Sequence, residues 1–335
     1  MSRKPRQLPA TCAAILALTF AGAACADVHT MIVTSDPQYP WTEKTDQRIA
    51  EDDDARNARS EALIREQYRS IVAYRAAHPD ETIPVIINGD LTAYGHGWQR
   101  SKMDELLGIL GENVHLGLGN HDYENNISRQ GGEGCYNNGC ARDSVEDLAR
   151  HVRRNSARIS FDWATQSGAI TDSHSGSLAY AFAAKGFTSA LQFQLNNHPN
   201  YAVSFSSNHN LRQQYYTIGP STDWLDRSLR NLMPYPQHEF AIVHMHQPEW
   251  DGAFARTIQN HNVVAIFAGH FHRALGRESY SVGDIPVYLS GSASQRSYLI
   301  VEHDDERNEL RIFAVRDNDP AKKELIDTLS TNRRG

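Results

Sequence analysis

Cysteine is scarce, with four residues in a chain of 335, too few for a disulfide-dense scaffold or a multi-cysteine zinc cluster. No apolar run reaches the roughly 20 residues that a comfortable membrane-crossing helix needs. There is no basic block: 33 Lys and Arg stand against 40 Asp and Glu, a net charge of −7, which argues against nonspecific nucleic-acid binding. The chain has no H-E-x-x-H, the helical zinc-protease pattern. It also lacks G-x-S-x-G. The nearest phrase, Gly291-Ser292-Ala293-Ser294-Gln295, has Ala in the nucleophile position and no second glycine. Repeats of 20–50 residues and Pro- or Ser-rich linkers are missing, and no Walker-type loop is found. What remains is an ordinary globular composition, 40% hydrophobic and 22% charged, able to bury a large core as one α/β layer structure.

The first 26 residues read as an export signal. Arg3, Lys4 and Arg6 precede an apolar run from Ala10 to Ala24, and Ala24-Cys25-Ala26 offers small residues for cleavage before Asp27. Those 26 residues hold three basic and no acidic side chains, so the charge of −7 becomes −10 after cleavage. The destination is the periplasm or the outside of the cell. Cys12 and Cys25 leave with the signal. Cys135 and Cys140, separated by Tyr-Asn-Asn-Gly, then form one local disulfide in an oxidising compartment; the alternative is a metal-binding pair.

Residues 27–335 read as one catalytic domain. Val28–Ser35 is short, β-branched and ended by Asp36-Pro37, as a buried strand should be. A helix is expected over Asp53–Ala77, with Ile64, Tyr68, Ile71 and Val72 on one face and His78-Pro79 as its stop. The Asp52–Asp54 run suits its N-terminal cap. Strand Ile83–Asn88, a helix near Trp98–Leu110 and strand Val114–Leu118 follow, and this alternation predicts a largely parallel sheet. Residues 125–177 look like a loop-rich insertion with a helix near Asp143–Asn155. Further strand-like runs up to Val315 call for a second sheet, giving a four-layer α/β/β/α sandwich with two mixed sheets.

Five polar clusters stand directly after predicted strands: Asp36-Pro37-Gln38, Gly89-Asp90-Leu91-Thr92, Gly119-Asn120-His121-Asp122, His244-Met245-His246-Gln247-Pro248 and Gly269-His270-Phe271-His272. Open α/β sheets bind ligands at the carboxyl ends of their strands, so the five should meet in one crevice. A single Asp after a strand is usually a turn residue or a cap. Together these are oxygen and imidazole ligand types, and they point to a metal site.

In this order the clusters resemble the signature of the calcineurin-like metallophosphoesterase superfamily: D-x-H, G-D, G-N-H-D/E, H and G-H-x-H. The resemblance covers most of the chain, from Asp36 to His272. It implies a dinuclear site at the strand carboxyl ends, with Asp36 and His272 on the first ion, Asn120, His246 and His270 on the second, and Asp90 bridging both. The metals implied are two divalent or transition ions such as Mn, Fe or Zn. Proline two residues on selects His246, with His244 as runner-up. The first motif departs from the family at Gln38, where His is usual; an amide oxygen is a weaker ligand than imidazole.

The resemblance further implies hydrolysis of a phosphate ester by a hydroxide shared between the metals, with His121 as general acid and Asp122 orienting that region. The Gly89-Asp90-Leu91-Thr92 segment is similar to the cyclic-nucleotide phosphodiesterase branch, which favours phosphodiesters. Small-molecule, lipid-headgroup or nucleotide esters suit an exported enzyme. The alternatives are a phosphomonoesterase, or a non-catalytic secreted module that keeps its metals for structure. His96, Trp98, Tyr123 and His198 are candidates for contact with the phosphate or leaving group, or for loop packing.

Overall fold

The computed structural model describes residues 28–127, 135–234 and 238–333. The expected signal segment lies outside them. Strand β1 (Val28–Thr34), helices α1 (Glu43–Asp46) and α2 (Asp53–Ala77), strand β2 (Val85–Ile87), helix α3 (Gly97–Leu107) and strand β3 (Val114–Leu116) make up the first part. Helix α4 (Gly139–Arg154) leads into the pair β4 (Arg158–Ser167) and β5 (Thr171–Phe182), then β6 (Ala190–Gln194), β7 (Val203–His209) and β8 (Arg212–Ile218). Helix α5 (Thr222–Leu232), β9 (Phe240–His244), α6 (Gly252–Gln259) and β10 (Val263–Ala268) follow. The chain closes with β11 (Leu275–Val282), β12 (Ile285–Ser290), β13 (Tyr298–Asp304), β14 (Glu309–Val315) and β15 (Glu324–Ser330).

Helix α2 takes the expected bounds because its signals are local. Asp52 accepts from the backbone N–H groups of Asp54 and Ala55, which satisfies the orphan donors of the first turn. Strands β1, β2 and β3 are parallel, as the strand–helix alternation requires, and β13, β14 and β15 extend their sheet antiparallel. The second sheet runs β11-β12-β10-β9-β6-β5-β8-β7, with β4 paired to β5.

Side-chain alternation in this second sheet defines the layers. Tyr180, Phe182, Phe240 and Ile242 join the buried cluster that holds Met31 and Ile86 of the other sheet. Their neighbours Ala179, Ala181, Ala241 and Val243 join a separate cluster with Leu225 of α5 and Phe254 of α6. Helix α2 brings Ile64, Tyr68 and Ile71 to the first cluster. The layers are therefore helix, sheet, sheet, helix.

The region read as a loop-rich insertion is more regular than expected. Besides α4, which covers the predicted helix, it holds β4 and the start of β5, paired antiparallel from Arg158↔Phe182 to Ser167↔Asp172. Most of β4 is exposed or only partly buried on both faces, so no apolar alternation marks it in the sequence. Cross-strand pairing makes this strand. A disulfide joins Cys135, just before α4, to Cys140 in its first turn.

His115 of β3 is buried between the sheets, stacked on Phe182 at 4.1 Å. Its Nδ1 accepts from the Asn155 amide at 2.8 Å, and Nε2 donates to Asn113 Oδ1 at 3.3 Å, an arrangement that fits only the neutral ring. Burial, helped by the nearby His151 and Arg75, holds its pKa down at about 3. An unfolded histidine titrates near 6.5, so His115 adds stability above that pH, and the contribution is lost as pH falls toward 3. Between pH 6.5 and 5, urea-unfolding free energies of the wild type should decline more steeply than those of His115→Leu, the difference in slope approaching about 1.4 kcal/mol per pH unit near pH 5. Parallel declines would rule this out.

Candidate metal centre

The five clusters do meet, at one end of both sheets. The loop after β1 runs alongside the loop after β2 through two backbone bonds, Asp36 N–H to the Gly89 carbonyl and Gln38 N–H to the Asp90 carbonyl. Ser35 Oγ donates to the Gly291 carbonyl at 2.8 Å and receives Ser290 Oγ–H at 3.0 Å, which ties the end of β1 to that of β12 in the other sheet. Two glycines permit the close approach. A Cβ on Gly119 would lie 2.7 Å from the Asp90 backbone nitrogen, and one on Gly269 would lie 2.7 Å from Asp36 Oδ2.

In the first lobe, donor atoms of Asp36, Asp90 and His272 all lie within 4.8 Å of one another. Asp36 Oδ2 also accepts the His270 backbone N–H at 3.0 Å. Gln38 is fully buried, and neither atom of its side-chain amide has a hydrogen-bond partner. In the second lobe, His246 Nε2 is 3.1 Å from Asp90 Oδ2 and 3.0 Å from Asn120 Oδ1, while His270 Nδ1 is 3.2 Å from Asn120 Oδ1. Asp90 belongs to both lobes. Buried groups of this kind are normally satisfied, and the clustered, acceptor-only carboxylates of Asp36 and Asp90 fit a cation. The mixed oxygen and imidazole donors suit a transition ion.

His246 is aimed through its other nitrogen. His246 Nδ1 donates to the Asn88 carbonyl at 2.9 Å, leaving Nε2 directed at Asp90 and Asn120. Burial opposes a charge on this ring, yet Asp90 and Asp36 outweigh it and push the pKa up to about 9. The negative potential that raises it would equally attract a divalent ion, which displaces the proton. His244 is elsewhere. It ends β9 inside the sheet, donates from Nε2 to Gln192 Oε1 at 2.8 Å and lies parallel to Phe267, and burial lowers its pKa to about 3. The chain leaves the sheet between the two histidines, so only His246 reaches the crevice.

Asp122 is a knot, buried and turned to backbone. It accepts from the N–H groups of Leu91, Thr92 and Gly119 at 2.9–3.0 Å and from the Thr92 hydroxyl, which locks the second and third clusters together. Burial and the Asp90 charge raise its pKa to about 6 despite those donors. His121 donates its backbone N–H to Asp90 Oδ1 at 2.9 Å, and its Nδ1 donates to the Ala93 carbonyl at 2.9 Å. Its ring meets Trp41 edge to face at 5.3 Å.

Sequence reasoning missed Asp46. Its Oδ1 lies 2.6 Å from His272 Nδ1 and accepts from Trp41 Nε1 at 2.7 Å, while Oδ2 accepts from Ser294 Oγ and Gln295 Nε2. Burial opposes its ionisation, but these donors, His272 foremost, hold the pKa down at about 2. A carboxylate behind a ligand histidine fixes its tautomer and raises its basicity, and losing one usually costs 10–100-fold in metal affinity. We expect that loss for Asp46→Asn in chelator-competition titrations. Affinity within two-fold of wild type would refute the orienting role.

The remaining candidates divide. Tyr123 is buried against Tyr201 at 5.2 Å, and His198 meets the same ring at 5.7 Å; both pack the loops. Trp98 is half exposed with its edge toward Tyr39, and His96 caps α3. His96, Cys135 and Cys140 also come together, but the two sulfurs are bonded to each other, which sets aside the metal-binding alternative for the cysteines.

Fold and site thus define a two-sheet α/β protein with clustered oxygen and imidazole donors at one end of its sheets. Residues 23–274 match the family model of the calcineurin-like phosphoesterases, and the chain belongs to that family. It is a hydrolase acting on phosphate esters in a metal-dependent reaction. No curated protein matches the chain. Among solved structures, the 5'-nucleotidase of Candida albicans is 12% identical with a TM-score of 0.50, the alignment covering 86% of this chain and 52% of that one. A purple acid phosphatase from yellow lupin is 10% identical with a TM-score of 0.47, covering 91% and 53%. A calcineurin-like phosphoesterase from Bacillus subtilis is 11% identical with a TM-score of 0.39, covering 91% and 90%. The chain spans about half the length of the first two.

Proposed function

We propose that this protein is an exported phosphodiesterase whose ion sites are the two lobes sharing Asp90. The observation that supports this reading is the approach of Asp36, Asp90 and His272 within 4.8 Å of one another, with His246 and His270 both beside Asn120 and His246 beside Asp90. Asp36, Gln38, His272 and Asp90 would hold one ion, and Asp90, Asn120, His246 and His270 the other. When bound, two such ions supply Lewis acidity toward the phosphoryl oxygens and an acidified water as nucleophile. The rest falls to the chain. Nδ1–H of His121 is committed to the Ala93 carbonyl, so Nε2 is the atom that delivers a proton to the leaving oxygen. The Asp90 contact to the His121 backbone holds that residue next to the carboxylate both ions would share, and Asp122 keeps its loop in register with Asp90.

Diesters are favoured by charge. The cavity that opens beside His270 has two glutamates and no Lys or Arg among its lining residues, so the second negative charge of a monoester would be repelled there. The test is hydrolysis of bis-p-nitrophenyl phosphate and p-nitrophenyl phosphate by metal-stripped protein resupplied with Mn, Fe or Zn. We expect metal-restored turnover with the diester ahead by kcat/KM. A faster monoester would overturn the diester preference. A folded, metal-loaded protein that cleaves neither would support the non-catalytic alternative. Export is tested separately, by the N-terminal residue of protein recovered from the culture medium or periplasm.

A further inference from the structure

The cavity beside His270 has a volume of about 390 Å³, within the range of small-ligand sites. Three of its lining residues are aromatic: Trp250, Phe271 and Tyr280. Trp250 and Tyr280 lie 5.2 Å apart at 35° and both pack against the α5/α6 core, which makes them a rigid wall. Phe271 follows the candidate ligand His270 directly and is half exposed. Glu249 and Glu278 line the same space, and neither is paired with a Lys or Arg among the described residues. Burial and the Glu278 carboxylate together raise the Tyr280 hydroxyl, which places that charge close to the aromatic wall.

Aromatic faces and carboxylates share one preference. Ring faces are negative and attract cations, above all alkylated ammonium groups, which shed water easily and are held by such cages. The carboxylates reinforce this and repel a second phosphate. A nucleobase could stack on the rings but would gain nothing from two negative charges. We propose that this cavity receives an alkylammonium group, so that the substrate is a zwitterionic phosphoester with its phosphate at the metal centre and a cationic head beside His270. This deepens the phosphoesterase reading and rests on it. The head could belong to a lipid or to a small soluble ester.

Binding tests the cage without turnover. Calorimetry on the full chain compares choline with 3,3-dimethylbutanol, which has the same shape and no charge. Choline should bind about ten-fold more tightly. That advantage should vanish in Trp250→Ala and shrink in Glu278→Gln, a partly buried position outside the hydrophobic core. Equal affinities, or a preference that survives both substitutions, would overturn the proposal. Turnover tests the substrate. The p-nitrophenyl ester of phosphocholine should exceed the p-nitrophenyl ester of 3,3-dimethylbutyl phosphate about ten-fold in kcat/KM. A ratio near one would overturn the substrate assignment. Charge-selective binding with no hydrolysis of any ester would leave the cage standing and sink the phosphoesterase reading instead. Given the selectivity, phosphatidylcholine vesicles against glycerophosphocholine decide between the lipid and soluble sources, and either result upholds the cationic head.

Discussion

Asp90→Asn should abolish metal-dependent turnover, lowering kcat/KM on bis-p-nitrophenyl phosphate by about three orders of magnitude or more. The carboxylate is the one group common to both lobes, with Oδ2 facing His246 and Oδ1 holding the backbone of His121. Burial works against its charge, but His246 and His121 keep its pKa down at about 2, so it is ionised wherever the enzyme works. Asparagine keeps the size and can still accept from His121, so the fold should survive. On the proposed two-ion reading the substitution would remove a negative charge that both ions share, worth several kcal/mol, and each 1.36 kcal/mol is a factor of ten in rate. Metal content by mass spectrometry should fall below two ions per chain. Retention of a tenth of the activity with both ions bound would show that Asp90 is not shared.

His121→Ala should separate substrates by leaving group. A positioned general acid contributes about 10²–10⁴-fold where the departing oxygen needs a proton. An alkyl alkoxide needs it, whereas p-nitrophenolate leaves readily without one. The variant should therefore lose on the order of 10³-fold on an alkyl phosphodiester and far less on the nitrophenyl ester. The anchoring of Nδ1 by Ala93 makes this a test of one atom, because only Nε2 is left to carry the proton. Equal losses on both esters would point to positioning in place of proton transfer.

Much of this candidate site could be read in the sequence because its expected ligands follow buried strands, where short motifs with glycine stand out against apolar runs. The separation of His246 from His244 was suggested by Pro248, and the reason is visible only in space: the strand ends at His244. Asp46 could not be found that way. It is 226 residues from His272, in a four-residue helix whose acids look like ordinary first-turn residues. Its partners Trp41, Ser294 and Gln295 carry no motif. The same limit hid strands β4, β7 and β8. Polar residues such as Gln213, Gln214 and Asn208 show no apolar alternation, and pairing with neighbouring strands is what makes them extended. Helix α2 was legible to the residue because its cap and its stop are both written beside it.

Four of the seven candidate ligand residues sit in left-handed backbone: Asp36 at φ 51°, Gln38 at 41°, Asp90 at 50° and His270 at 71°. For residues with a Cβ this conformation costs on the order of 1–3 kcal/mol each. Glycine would relax every one of these positions and would remove a ligand at each. Selection for a sturdier fold and selection for catalysis therefore pull on the same four codons in opposite directions. Random mutagenesis screened only for heat resistance should enrich glycine at these sites and return robust, inactive chains. A laboratory lineage meant to keep its chemistry has to seek its gains in the helices and outer strands, away from the rim.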